Sequence, residues 1–239
     1  MIDRRLNYGR HNIERYLKDA MPYATVLDLG AGKGDDLMIA KRVGEIGGRQ
    51  LRLCAIESFP PNVELLKSQG IEVFNCDLER DRFPFEDESV DIILTNQVME
   101  HLKDVFWTLH ETTRILKVGG HFIVGVPNLA AFHNRILLSM GKQPSTIKNN
   151  SAHVRAYTKN DFRNLVNSGF DGYQLQNFKG SNLYPFPPAL ALPLSKMFPT
   201  LSVGIFFDFV KIRSYTNDGY LKWPIEQELE TKFFLGGEA

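Results

Sequence analysis

The 239-residue sequence reads as an α/β protein built on a mostly parallel sheet. Three observations lead there. Short apolar runs alternate with stretches of helical period from residue 25 to residue 127. A glycine turn, "DLGAGKG", joins the first such run to the helix after it. Apolar residues at 43% and charged residues at 23% are the proportions of a globular chain with a sizeable core.

Taken in order, Ile13, Tyr16, Leu17 and Ala20 recur at helical spacing, so residues 9–20 open the chain as an amphipathic helix. "ATVLDLG" is a short buried strand and "DDLMIAKRVGEI" the helix behind it. "LRLCAIE" and "IEVFNCD" follow as strands, separated by the helix-like "PNVELLKSQG". "VDIILTN" is a fourth strand, "DVFWTLHETTRILK" a helix stopped by Gly119 and Gly120, and "HFIVGVP" a fifth strand. Past Pro127 the rhythm changes. Residues 128–157 form a polar, irregular insertion with one helical pattern, "LAAFHNRILLSM". Then come a helix from Thr158, with that threonine as N-cap toward Asp161, a strand "GYQLQNF", a proline-rich connection, and a last strand "GIFFDFVKI". The sequence beyond Arg213 is mixed.

Lys+Arg and Asp+Glu balance at 28 each, which disfavours a general nucleic-acid binder, since phosphate contacts call for a basic excess. Cys54 and Cys76 each fall in a strand-like apolar segment and read as buried thiols of a reducing compartment. No zinc-type cysteine spacing occurs, and no metal is expected. The N-terminal "MIDRRLNYGRHNIERYL" lacks the apolar core of a signal peptide, so the cytoplasm is the expected location. Residues 183–210 are apolar, but five prolines between 185 and 199, with Lys196 and Asp208, exclude a spanning helix. That stretch is expected to pack over the sheet, peripheral membrane contact being the alternative.

The glycine turn carries most of the functional signal. A strand, a glycine turn and a helix start let backbone approach a ligand closely. Dinucleotide sites space their glycines G-x-G-x-x-G and present the helix start to a pyrophosphate. Here Gly30, Gly32 and Gly34 are spaced one residue tighter, and Asp28 stands ahead of them. A carboxylate repels a pyrophosphate and attracts an ammonium. The loop therefore suits a nucleoside joined to a zwitterionic amino acid, a description that S-adenosylmethionine fits.

D-x-G-x-G-x-G at Asp28–Gly34 resembles motif I of the class I S-adenosylmethionine-dependent methyltransferases, and the family's other stations follow in order. Glu57 in "CAIES" matches the acid that hydrogen-bonds both ribose hydroxyls, a task for two acceptor oxygens. Asp77 in "NCDLE" matches the polar side chain at the adenine amino group, with Leu78 lending its backbone N–H. "FPFEDESVDIILTNQVMEHL" and "RILKVGGHFIVGVPN" resemble the fourth- and fifth-strand blocks. Val118 departs from the usual proline before Gly-Gly, which affects turn stiffness alone. The resemblance is strong over residues 20–127 and extends by topology to about 213. It implies a Rossmann-like, seven-stranded sheet in the order 3-2-1-4-5-7-6, last strand antiparallel. It also implies S-adenosyl-L-methionine held by Asp28, Gly30, Ala31, Gly32, Gly34, Glu57, Ser58, Asp77, Leu78, Asn96 and Gln97, with Val98 and Met99 near the sulfonium. Asp35 and Asp36 read as helix-start charges complementing the macrodipole.

Methyl transfer from a sulfonium needs chiefly an acceptor held in line, with a general base when the acceptor is a hydroxyl. His101 in "MEHL" and His153 in "HVRAYT" are the catalytic candidates; for each the alternative is a histidine holding a loop through backbone hydrogen bonds. The second stretch resembles an H-x-R-x-[FY]-T turn of small-molecule methyltransferases, among them ubiquinone-biosynthesis O-methyltransferases and methionine-biosynthesis-associated proteins. Glu100 is a further base, expected to be solvated. Arg155 would orient an acidic substrate or form a structural ion pair. Tyr8 and His11 would reach over the cofactor if the first helix forms a lid. The expectation is one domain over 1–239 with a cap helix (1–20) and substrate lids (128–157, 180–204). Its expected acceptor is an oxygen nucleophile on a small molecule, a lipid-like compound or sugar remaining open, without nucleic acid or a transmembrane segment. The other reading is a catalytically weak cofactor-binding protein that acts through a partner.

Overall fold

The computed structural model describes residues 4–227. Residues 1–3 of the expected cap and the chain beyond 227 lie outside the described residues. The helices are α1 (Arg10–Asp19), α2 (Asp35–Ile46), α3 (Pro60–Ser68), α4 (Val105–Ile115), α5 (Phe132–Ser139), α6 (Lys159–Val166), α7 (Pro188–Met197) and α8 (Gly219–Glu226). The strands are β1 (Thr25–Leu29), β2 (Arg52–Ile56), β3 (Glu72–Phe74), β4 (Val90–Asn96), β5 (Leu116–Pro127), β6 (Tyr173–Gly180) and β7 (Gly204–Lys211). They form one seven-stranded sheet in the order β3-β2-β1-β4-β5-β7-β6. Strand β7 runs antiparallel to both of its neighbours, β5 and β6, and the remaining pairings are parallel. The order expected from sequence is the order found.

Alternation along the strands divides the core in two, because successive side chains leave a strand on opposite faces. Leu27, Leu29, Ile93, Phe122, Val124, Phe207 and Phe209 face one layer, with Val105 and Leu109 of α4, Phe162 of α6 and Tyr220 of α8. Val26, Ile92, Leu94, Ile123 and Phe206 face the other, with Ile13, Tyr16 and Leu17 of α1 and Leu37 and Ala40 of α2. A sheet covered on both faces explains strands that read as unbroken apolar runs. The cap helix is stitched down by Tyr16, whose hydroxyl donates to the Phe206 carbonyl at 3.1 Å.

Several local expectations change. Gly119 and Gly120 do not stop α4. That helix ends at Ile115, and β5 begins at Leu116, which pairs with Val90 and is fully buried, so sheet pairing claims the chain before the glycines are reached. Strand β3 covers three residues, which leaves Cys76 past its end, while Cys54 stays buried within β2. The proline-rich connection contains helix α7, with Pro188 in its first turn, where a missing N–H costs nothing. Beyond Arg213 the chain forms α8. Among the described residues no helix is long and apolar enough to cross a membrane.

Candidate active site

The C-terminal ends of β1, β2 and β4 converge on the glycine turn, the place where open α/β sheets bind ligands. Asp28 lies in β1 opposite Ala55 and Leu94 and is 3% exposed. Gly30 takes a φ of +67°, and a Cβ there would stand 2.9 Å from Val98 Cγ2, so a side chain is excluded by conformation and by space. Gly32, at φ +56°, has nothing within 4 Å of where its Cβ would be, which leaves the turn open to a ligand.

Two clefts lie at the turn and share Gly30. The first, about 350 Å³, is lined by Asp28, Gly32, Asp36, Asn96, Gln97, Glu100 and the two candidate histidines, with Ala31 and Tyr8 also on its wall. The second, about 620 Å³, is lined by Glu57, Ser58, Asp77, Leu78 and Leu102 among others. Gly34 stands behind the turn as the left-handed residue that starts α2.

The first cleft is acidic and incompletely paired. Asp36 is buried: one oxygen accepts from Asn96 Nδ2 at 2.8 Å and the other from Arg10 Nε at 3.3 Å. Arg10 also reaches Asp35 at 2.8 Å. Burial, then the charges of Asp36 and Glu57, push the Asp28 carboxyl well above the ordinary carboxylate range, against a smaller opposing pull from Arg10. Asn96 Oδ1 and Gln97 Nε2 are buried without a hydrogen-bond partner. Gln97 holds φ +62°, a left-handed position for a residue with a side chain, fixed by its N–H donating to Gly125 at 2.8 Å. Two acids, one orphaned acceptor and one orphaned donor suit a zwitterion, so the residues present fit the cofactor expected from sequence.

In the second cleft, Glu57 clamps the turn. One of its oxygens accepts from Gly32 N–H at 2.7 Å and from Asn62 at 3.4 Å, the other from the Ser58 and Phe59 N–H groups at 2.9 and 2.8 Å. A diol arriving there has to displace the long Asn62 contact or share the remaining lone pairs. Asp77 lies in a turn beyond β3, where its carboxylate accepts from Glu79 N–H at 2.9 Å.

At the lip, the short 3-10 turn Met99–His101 follows β4, and the "HVRAYT" stretch is bound to it. The Glu100 carbonyl accepts from Val154 and Arg155 N–H at 2.9 and 3.1 Å. Arg155 donates to the Leu102 and Lys103 carbonyls at 3.0 and 2.6 Å, so its guanidinium is engaged by backbone, and among the described residues it forms no ion pair. Tyr157 donates to the Met99 carbonyl at 3.1 Å, and Thr158 caps α6 as expected. These bonds bring His101 and His153 together, ring centroids 4.7 Å apart. Glu100 is not solvated: it is 1% exposed, both of its carboxylate oxygens lack partners, and burial pushes its pKa up to about 7. Asp36 and Arg10 are the residues that sequence reasoning undervalued. Asp36 was visible as a second acid after the turn, whereas Arg10 has no local signal. His11 lies away from the cleft, beside Lys179 and Lys196.

The comparisons with known proteins agree. Residues 27–124, from β1 into β5, match the family model described as "Methyltransferase domain". The chain is 28% identical over 61% of its length to a protein of Mycobacterium tuberculosis named as a probable S-adenosylmethionine-dependent methyltransferase, covering 48% of that protein. Over residues 27–124 and in its sheet order, the chain is similar to the class I S-adenosylmethionine-dependent methyltransferases. A mouse protein named as a probable tRNA methyltransferase 9B is 27% identical over 48% of the chain, which covers 24% of it. Among solved structures, a Thermotoga maritima methyltransferase described as a possible histamine N-methyltransferase has a TM-score of 0.56 at 19% identity, covering 86% of this chain and 90% of that one. The chain spans about half the length, or less, of the curated relatives it matches.

Proposed function

We propose that the protein transfers a methyl group from S-adenosylmethionine to an oxygen nucleophile of a small-molecule acceptor by in-line displacement. The observation that carries this reading is the buried Asp28–Asp36 pair beside an open glycine turn, with Asn96 Oδ1 and Gln97 Nε2 unpaired in the same neighbourhood. When bound, the cofactor supplies a methyl group already activated by its sulfonium. Asp28 and Asp36 provide negative charge for the ammonium, and Gln97 a donor for the carboxylate. Glu57 and Ser58 serve the ribose and Asp77 and Leu78 the adenine, from the second cleft. Tyr8 and Arg10, at the start of the cap, narrow the first cleft and exclude water.

An oxygen acceptor is favoured because three proton-accepting side chains, Glu100, His101 and His153, line one cleft. A hydroxyl needs such help, whereas a free amine does not. A nucleic-acid acceptor is disfavoured by a net charge of zero. Calorimetry tests the core of the reading. Saturable binding of S-adenosylmethionine and S-adenosylhomocysteine is expected, with none for NADH, and the opposite pattern would sink it.

A lipid-like acceptor is the second reading, favoured by apolar exposure on two neighbouring insertions. Ile136, Leu138 and Met140 at α5, and Leu190, Met197 and Phe198 at α7, all show substantial solvent exposure. A cleft of about 680 Å³ is lined by Phe132, Ile136, Leu137, Tyr184 and Pro185. Sedimentation with liposomes checks it: protein left wholly in the supernatant argues for a water-soluble acceptor.

A further inference from the structure

Glu100, His101 and His153 each offer a ligand atom, and these atoms lie within 4.8 Å of one another. His101 Nδ1 is 3.2 Å from the Ala152 carbonyl and His153 Nδ1 is 2.7 Å from the Thr146 carbonyl. A carbonyl oxygen only accepts, so in the neutral form of each ring Nδ1 carries the proton, and among the described residues neither Nε2 has a hydrogen-bond partner. Backbone carbonyls fixing the tautomer in this way are the usual outer support of metal-bound imidazole. Beside the rings stands the Glu100 carboxylate, which is 1% exposed, has no hydrogen-bond donor on either oxygen, and lines the first cleft. His101 Nε2 is 4.0 Å from Glu100 Oε1.

We propose that Glu100, His101 Nε2 and His153 Nε2 bind one divalent transition-metal ion at the lip of the cofactor cleft, leaving coordination positions open to oxygen atoms of the acceptor. Two imidazoles with one carboxylate select zinc, manganese, cobalt or iron(II) over magnesium, which prefers all-oxygen surroundings. Metal–ligand bonds of about 2.1 Å place tetrahedral ligands about 3.4 Å apart, so the separations, 4.8 Å at most, close by no more than about 1.4 Å on binding. The exposed His101 ring supplies that movement, since it is held by one hydrogen bond. The cation also gives the carboxylate the partner it lacks. The role of the open positions rests on the methyl-transfer reading, whereas the ion site stands on these three side chains.

Full-length protein stripped with a chelator tests the site directly. Calorimetric titration with Zn²⁺, Mn²⁺ and Mg²⁺ is expected to show one equivalent of Zn²⁺ or Mn²⁺ bound, and Mg²⁺ at least about tenfold weaker. Co²⁺ should develop ligand-field absorption at the same stoichiometry. Glu100→Gln and His153→Ala should each weaken Co²⁺ binding by at least about tenfold and reduce that absorption. His101→Asn does the same job should either of the others fail to fold. The proposal is overturned if no ion binds stoichiometrically, or if binding is undiminished in the folded variants. S-adenosylhomocysteine is titrated into the same samples. Failure to bind it would remove the methyl-transfer reading, while the metal titration still decides the ion site.

Discussion

Asp28 is a carboxyl group with almost no access to water, next to a second buried acid. Arg10 offsets this pair only in part, since the Asp28 carboxyl stays well above its ordinary range, so the pair marks a place that a further cation would stabilise. Asp28→Asn is therefore expected to weaken S-adenosylhomocysteine binding by about tenfold or more, about 1.4 kcal/mol, with the melting temperature held or raised; calorimetry and thermal unfolding check both halves. Glu100 is a sharper case. Its two oxygens have no donor, and a buried charge without a partner costs more than a buried amide. In chelator at pH 8, Glu100→Gln should raise the melting temperature by about 2–4 °C, and an unchanged or lower value would show that the carboxylate is paired. The sequence displayed Glu100 in "MEHL" without its burial, because a single acid after a strand looks the same whether water or protein covers it.

The "HVRAYT" segment shows what a short motif does mechanically. Val154, Arg155 and Tyr157 all bond to the backbone of residues 99–103, so its main work is to fasten one loop to another and deliver His153 to Glu100. Arg155→Ala leaves two carbonyls without their cationic donor and is expected to cost about 1–3 kcal/mol. Amide exchange at residues 99–103 should quicken, and S-adenosylhomocysteine binding through Asp28 should survive. An unaltered exchange pattern would mean that the other three bonds suffice. The boundary of α4 makes the complementary point. Gly119 and Gly120 look like a helix stop, yet Leu116 is already committed to β5, since tertiary pairing outweighs local propensity.

Across the whole molecule, charge is used to join distant parts of the sheet. Asp91 accepts from the Ala24 and Thr25 N–H groups at 3.1 and 2.8 Å and from Lys117 at 2.7 Å, linking the starts of β1, β4 and β5. Burial pushes its pKa up, but the Lys117 hydrogen bond and the two backbone donors outweigh that and hold it below the usual carboxylate range. A pKa depressed by folding contributes stability that is present above the unfolded value, near ~3.9, and is lost as pH falls through the folded value. Asp91→Asn should therefore lower the melting temperature at pH 7, with the gap from wild type narrowing below about pH 4. A gap independent of pH would assign the bridge no electrostatic role.

Order along the chain was enough to give the α/β alternation and the cofactor turn, and the family resemblance those residues carry supplied the seven-strand order. Periodicity, glycine spacing and acids placed near strand ends are all properties of near neighbours in sequence. The pairing of Asp36 with Arg10, the burial of Glu100, and the meeting of His101 with His153 were not available from it. Each brings together groups from separate elements, and a side chain's partners and dielectric surroundings exist only once the sheet and its loops have packed around it.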